Sequence, residues 1–266
     1  MIYGLYRSAA GMMAATYRQS VIANNLANVE TVGFKKDLAV VQQRRMAAQE
    51  LPSAARFHDP FFDRLGGGLL VSPTVTDPTQ GTLELTARPL DAALVGEGYF
   101  AVERAGETLL TRHGNFSLDS DGRLVLADDP ATRVLSRDLR PIVLDPLAPT
   151  EINAQGEIVQ RGEVVARLAI KSAAMQALEK RPGQTFALRA DDAAGQAGGA
   201  GGGGVGALPD APAATVRGGA LERSNVDPST ELTAMIEAQR MMEANANLIR
   251  FQDQTLGRLV NEVGKV

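Results

Sequence analysis

Few side chains in this sequence offer thiolate or imidazole chemistry. Its 266 residues include no Cys and two His, His58 and His113. Without Cys there is no thiolate nucleophile, no thiolate metal site and no disulfide framework. His113 stands in Thr111-Arg112-His113-Gly114-Asn115, with no Ser, Asp or second His at a motif spacing. An imidazole catalyst needs such a partner to orient and activate it, so His113 is expected to be a partly exposed residue of a loop or strand end. Asp119-Ser120-Asp121-Gly122 resembles a calcium loop only superficially, because Gly follows the second acid at once and the third acidic position is missing. It reads instead as a hairpin turn. Gly96-Glu97-Gly98 has no helix behind it, and Gly66-Gly67-Gly68 is not followed by Lys-Ser or Lys-Thr, so neither is a phosphate loop. Asp and Glu total 31, yet no spacing singles out an acid–base pair. No catalytic residue, metal ligand or cofactor is assigned, and the expectation is a protein that is not an enzyme.

Lys and Arg total 27, giving a net charge of −4 and no reason to expect nucleic acid as a partner. Aromatic residues make up 5% and Trp is missing, which leaves little for stacking platforms. The N-terminal stretch lacks a basic leader followed by an unbroken apolar core, so no cleavable signal peptide is expected. No run reaches the ~18 apolar residues of a membrane span.

The most informative pattern is one of packing. From Met235, every seventh residue reads Met242, Ile249, Leu256, Val263. A companion column, Leu232, Gln239, Ala246, Asp253, Val260, is apolar except at two polar steps. Alternating three- and four-residue spacing puts a narrow apolar seam on one side of a helix, as in a coiled coil. Asp227 is the expected N-cap, Pro228 fits the first turn and Glu231 suits the positive end of the dipole. At ~1.5 Å per residue the helix would be about 50 Å long. So thin a stripe calls for a partner helix. Residues 2 to about 28 supply one, with Ile2, Leu5, Ala9, Met12, Thr16, Ala23 and Leu26 at the same spacing. Small residues there (Ser8, Ala9, Ala10, Gly11, Ala14, Ala15) allow close approach of another backbone. Asn24, Asn25 and Asn28 favour a helix end, and Gly33 is expected to terminate the helix with Phe34 packing behind it.

Between these ends the pattern changes. A short helical piece is expected around 37–51, then Pro52, Pro60 and the Gly run break it, and 69–76 reads as an extended arm. From Gln80 the period falls to two. LDAALVG, YFAVE, ETLLTR, NFSLD, GRLVLA, RPIVLD, GEIVQ and EVVARLAI are strand candidates between Gly, Pro, Asp and Asn turns. The Gly-rich segment within 191–215 reads as a mobile loop or tether.

Three passages in order resemble the flagellar basal-body rod and hook protein family. The first, SVIANNLANVETVGFKKD, carries Asn24, Asn25, Leu26, Asn28, Thr31, Gly33 and Phe34. The second, QGTLELTARPLDAALVGEGYFAVE with TRHGNFSLDSDGRLVLA, carries Gly81, Leu90, Asp91, Gly96, Gly98, Phe100, Gly114, Phe116 and Gly122. The third, GALERSNVDPSTELTAMIEAQRMMEANANLI, carries Leu221, Glu222, Ser224, Asn225, Val226, Asp227, Arg240 and Asn245. Ala87-Arg88 departs from the Gly or polar pair usual before Pro-Leu-Asp, and the Gly-rich insert is unusual.

The resemblance implies a proximal or distal rod subunit that self-assembles into a helical, torque-transmitting drive shaft across the periplasm. It implies copies of itself and other rod and hook subunits as partners, and export through the flagellar type III apparatus. The fold expected is α+β: terminal helices paired as a coiled coil around a mainly antiparallel β middle domain. The expected divisions are 1–36 with 225–266 as the helical part, 37–80 and 207–224 as connecting segments, and 81–206 as the β part, flexible over 191–206. Two other readings stand beside this one: a soluble β-rich binding module with dimerising helices, and a rod-associated cell-wall enzyme.

Overall fold

The computed structural model describes residues 2–43, 68–189, 205–211 and 214–263. The chain divides into two compact units, one of Met1–Ala27, Lys36–Asp77 and Val226–Val266, the other of Asn28–Lys35 and Pro78–Asn225.

The first unit is built on two helices, α1 (Ile2–Ala27) and α2 (Pro228–Val263). The start of α2 is as expected: the Ser229 amide donates to Asp227 Oδ1 at 3.2 Å and the Thr230 hydroxyl to Oδ2 at 2.5 Å. Pro228 occupies the first turn, where its missing N–H costs nothing. The two helices lie side by side and antiparallel, since Gly4 faces Gln252, Gly11 faces Asn245 and Thr16 meets Met242. Beside them, Asp37–Leu38 pairs with Val75–Thr76 and Val41–Gln43 with Leu69–Val71. The extended arm at 69–76 is therefore present. Asp37–Leu38 and Val41–Gln43 are strands where helix was expected. β-branched Val40 and Val41 favour that state, and the Asn25 amide clasps the Asp37 backbone in it, accepting its N–H and donating to its carbonyl, both at 2.9 Å. Residues 44–51 of the expected helix, with Pro52, Pro60, His58 and Gly66-Gly67, lie outside the described residues.

The second unit is mainly antiparallel β. Its largest sheet runs Leu178–Arg181, Thr185–Leu188, Glu107–Thr111, Tyr99–Arg104, Thr132–Val134, Leu124–Leu126, Phe116–Leu118, with Ile170–Lys171 also on Tyr99–Arg104. Thr150–Ile152, Glu157–Gln160 and Glu163–Arg167 form a smaller sheet, while Thr215–Gly218 pairs Ala92–Val95 and Ala220–Glu222 pairs Leu83–Leu85. One face of the main sheet buries Phe100, Val102, Phe116, Leu124 and Ile142; the other buries Tyr99, Ala101, Leu110 and Phe186. Alternate residues of Tyr99–Arg104 thus serve opposite cores, as the two-residue strand period dictates.

The Asp119–Gly122 turn joins paired strands, with the Gly122 amide on the Asp119 carbonyl at 2.9 Å. The RPIVLD stretch is no strand. It makes only single bridges at Pro141 and Val143, because Pro141 has no N–H for a ladder. Residues 191–204 of the Gly-rich stretch lie outside the described residues, but Val205 and Leu208 at its end are buried among Tyr99, Leu110 and Phe186. Burial of two large apolar side chains offsets the entropy of ordering that tail.

Candidate functional site

The sequence motifs converge on one place in each unit. In the β unit that place is Glu222, on the strand Ala220–Glu222. Its carboxylate is fully buried, with Oε1 accepting from Lys35 Nζ at 2.5 Å and the Gly81 amide at 3.0 Å, and Oε2 from Arg112 Nη1 at 3.2 Å. The Lys35 and Arg112 side chains are 1% and 6% exposed. Two cations thus meet on one carboxylate out of water. Such a group is strongly destabilised if a partner is removed, since an uncompensated buried charge remains.

Secondary contacts hold each member. Lys35 Nζ also donates to the Thr79 carbonyl at 2.7 Å, and Arg112 Nη2 to the Gly96 carbonyl at 2.7 Å. The guanidinium lies 5.3 Å from the Tyr99 ring centroid. Burial pushes the Tyr99 hydroxyl above its usual value; Arg112 opposes that, and Glu222 and Glu97 add to it. Gly81 must be Gly, because a Cβ there would lie 2.0 Å from the Arg223 carbonyl oxygen.

Residues 28–35 are clamped around the same group. The Gly33 amide donates to the Glu222 carbonyl at 2.7 Å, and the Asn225 amide to the Phe34 carbonyl at 3.4 Å. Phe34 is buried, with Lys180 Nζ 4.1 Å from its ring centroid. Gly33 was expected to stop the helix, but α1 ends at Ala27. Its φ of +67° serves a close approach instead: a Cβ would come within 2.6 Å of the Arg112 carbonyl carbon. Other motif residues surround this centre. Phe100 and Phe116 stack edge to face at 5.3 Å, Leu90 packs on their core, and Asp91 accepts the Thr86 hydroxyl at 2.6 Å. Asn225 donates to Thr79, and Thr31 to Asn28.

His113 corrects an expectation. It is 2% exposed, not partly exposed, with Nε2 2.8 Å from Asp128 Oδ2 and Nδ1 buried without a hydrogen-bond partner. Burial lowers its pKa against the opposing pull of Asp128. Its neighbours explain the burial: the backbone of Gly114 runs hard against that of Ala92, drawing the loop into the core. Among the described residues no group of three His, Cys, Asp or Glu is placed to hold a metal, and no helix is long and apolar enough to cross a membrane.

In the helical unit the inner faces are small and polar. On α1, Ser8, Ala15, Ile22 and Asn25 are buried, in a stripe continued by half-buried Gly4 and Gly11. A Cβ at Gly11 would lie 3.0 Å from Asn245 Oδ1, and one at Gly4 2.6 Å from Gln252 Nε2. On α2, Ala238 is 1% exposed, and Glu231, Asn245 and Gln252 at seven-residue steps from it are half-buried. Of the seam residues, Leu5, Ala9, Met12, Leu26, Met235, Met242, Ile249 and Leu256 are half-buried. The side chains of Ile2 and Val263 lie outside the described residues. Leu232 is 48% exposed, and Gln239 and Asp253 are exposed as well, so the column beside Met235 that turns inward is that of Ala238. Arg240 is exposed.

Sequence reasoning missed Lys35, Arg112, Ala238 and Gln252. A charged residue in a turn or strand gives no local sign that it will be buried, and the heptad pattern ranks polar Gln252 as surface.

Known proteins match both places. The family described as "Flagella basal body rod protein" matches residues 5–35, "Flagellar hook protein FlgE/F/G D1 domain" residues 93–166, and "Flagellar basal body rod FlgEFG protein C-terminal" residues 217–262. The chain is 33% identical to the flagellar basal-body rod protein FlgG of Agrobacterium fabrum, over 93% of this chain and 94% of that protein. The chain belongs to the flagellar basal-body rod protein family. It is also 30% identical to FlgG of Bacillus subtilis, across 98% of this chain and 99% of that protein, and 28% identical to FlgF of Mesorhizobium japonicum, across 98% and 97%. Membership makes it a structural protein of the flagellar basal body, not an enzyme; the cell-wall enzyme and binding-module readings find no support. The first and third matched segments carry α1 with the Gly33–Lys35 turn, and Glu222 with α2, so the family's two ends supply both convergent places.

Proposed function

We propose that this protein is a rod subunit whose two terminal helices pair as a coiled coil and whose remaining helix faces pack on neighbouring copies and other rod or hook subunits to form a helical tubular shaft transmitting torque. In this reading 1–36 and 225–266 are the axial part, 81–206 the β part, and the segments between them connectors. A shaft between motor and hook spans the periplasm, and the subunit reaches it through the flagellar type III apparatus.

The observation that carries the reading is the outer face of the helix pair. On α2, Ile236, Met241, Leu248 and Phe251 are 51%, 45%, 51% and 66% exposed, and on α1 Tyr6 and Met13 are each 70% exposed. Apolar side chains in such number mark a surface that another molecule covers. Head-to-tail repetition of a contact that does not close on itself builds a helical filament.

The test places a charge on that face. Phe251→Asp leaves little buried in the single subunit but would bury an unpaired carboxylate in the assembly, at several kcal/mol per copy. The expected variant is soluble, β-folded, absent from isolated basal bodies and non-motile, while Gln254→Asp on the exposed polar side remains motile. Motile Phe251→Asp cells carrying the variant in their basal bodies would refute the reading.

A further inference from the structure

Because the carboxylate of Glu222 sits between two buried cations from distant parts of the chain, it can decide when one of them docks. Lys35 comes from the turn after α1, Arg112 from the end of Glu107–Thr111, and Glu222 from the last strand before α2. We infer that Glu222 is a docking checkpoint: residues 28–35 hold to the β unit only while the C-terminal strand Ala220–Glu222, with its carboxylate, is paired with Leu83–Leu85.

The argument is electrostatic and geometric. Before Glu222 arrives, docking would bring the Lys35 ammonium toward the Arg112 guanidinium without the carboxylate that both contact at 2.5 and 3.2 Å. Like charges brought together out of water disfavour that state. The backbone repeats the condition, since the Gly33 amide donates to the Glu222 carbonyl and the Phe34 carbonyl accepts the Asn225 amide. Both bonds need the segment Glu222–Asn225, whose first residue lies 187 residues beyond Lys35.

Three full-length variants test this by amide hydrogen exchange. Glu222→Gln keeps the shape and removes the charge, leaving two cations against a neutral amide. The Gly33 and Asn225 amides should then lose about 100-fold or more of their protection, as expected when a buried ion pair loses one partner. The amides of Ala101 and Leu135, bonded within the β core at 2.9 and 3.0 Å, should stay protected. Lys35→Met leaves Arg112 and Glu222 balanced and should cost Gly33 less than Glu222→Gln does. The deciding variant is the double, Lys35→Met with Glu222→Gln. Under the checkpoint one of the two cations is gone, so Gly33 should be better protected than in Glu222→Gln alone. A double variant worse than either single one would make Lys35 a packing residue and overturn the inference. So would loss of Ala101 and Leu135 protection in step with Gly33, because docking would then not be separable from folding of the unit.

Discussion

Replacing Gly114 by Ala puts the packing of the β unit to a direct test. A Cβ there would lie 1.6 Å from the Ala92 carbonyl oxygen, 2.8 Å from its carbonyl carbon and 3.5 Å from Phe100 Cε2. Carbon and oxygen in close contact rest about 3.3 Å apart, so the two backbones must separate by roughly 1.5 Å or more. The Gly114 carbonyl accepts the Ala92 amide at 3.0 Å, and Asp91 bridges Asn115 alongside. Ala92, Asp91 and Phe100 are each 0% exposed, so water cannot replace what is lost. An unsatisfied buried donor and acceptor cost about 1–3 kcal/mol, and forced overpacking a further ~1–3 kcal/mol. Together these make a loss of about 2–6 kcal/mol, a large part of the ~5–15 kcal/mol that ordinarily holds a folded protein. Two other Gly→Ala changes calibrate it. Gly162 has φ +84° but nothing within 4 Å, so Ala should cost only backbone strain of about 1–2 kcal/mol. Gly257 lies in α2 with nothing within 4 Å, so Ala should gain up to ~1 kcal/mol of helix propensity. Urea unfolding followed by circular dichroism measures all three. A Gly114→Ala midpoint no lower than that of Gly162→Ala would refute the account of why this position is Gly.

Two further outcomes depend on pH. Burial lowers the His113 pKa below 6.5, so the unfolded chain takes up a proton first. The stability this contributes is complete above ~6.5 and is lost as pH falls through the lower folded value. The urea midpoint of the β unit should therefore drop between neutral pH and pH ~5, and His113→Gln should flatten that slope. Asp227 is held below 3.8, first by the Thr230 hydroxyl and then by the Ser229 amide. Its capping contribution is present above 3.8 and lost as pH falls through the folded value, and Asp227→Ala should speed exchange of the Ser229 amide at neutral pH without affecting Ala101.

How far the sequence discloses this structure depends on whether a residue's partner is near in the chain. The cap at Asp227, the Asp119–Gly122 turn and strands such as Tyr99–Arg104 rest on neighbours within a few positions, and composition with period suffices to find them. Leu178–Arg181 was invisible because LEKR alternates poorly and is strand only through its pairing with Thr185–Leu188. His113 looked like a loop residue because nothing local reveals that the Gly114 backbone is pressed against Ala92, 22 positions back. The Glu222 cluster is the extreme case. Its residues stood inside the recognised motifs, but no spacing in the sequence says that Lys35 and Arg112 meet the same carboxylate. Gly33 serves a close approach and not the expected helix stop, since positive φ suits either.

The helix pair reverses the usual order of a soluble protein. Where a globular helix hides its large apolar residues, α2 turns Ala238, Asn245 and Gln252 inward and leaves Phe251, Leu248 and Ile236 outside. Gln252 even has a buried Oε1 without a hydrogen-bond partner. The long polar side chains lie over Gly4 and Gly11 because only Gly leaves room for them, so the inner contact is chosen for shape and alignment more than for stability. Covering the outer apolar side chains, from about half to over two-thirds exposed, would be worth roughly 1 kcal/mol apiece, a gain open only to the assembly proposed above. On the proposed reading such a pair is weak alone and strong when surrounded, because the free energy of its outer apolar surface is gained only against neighbouring subunits.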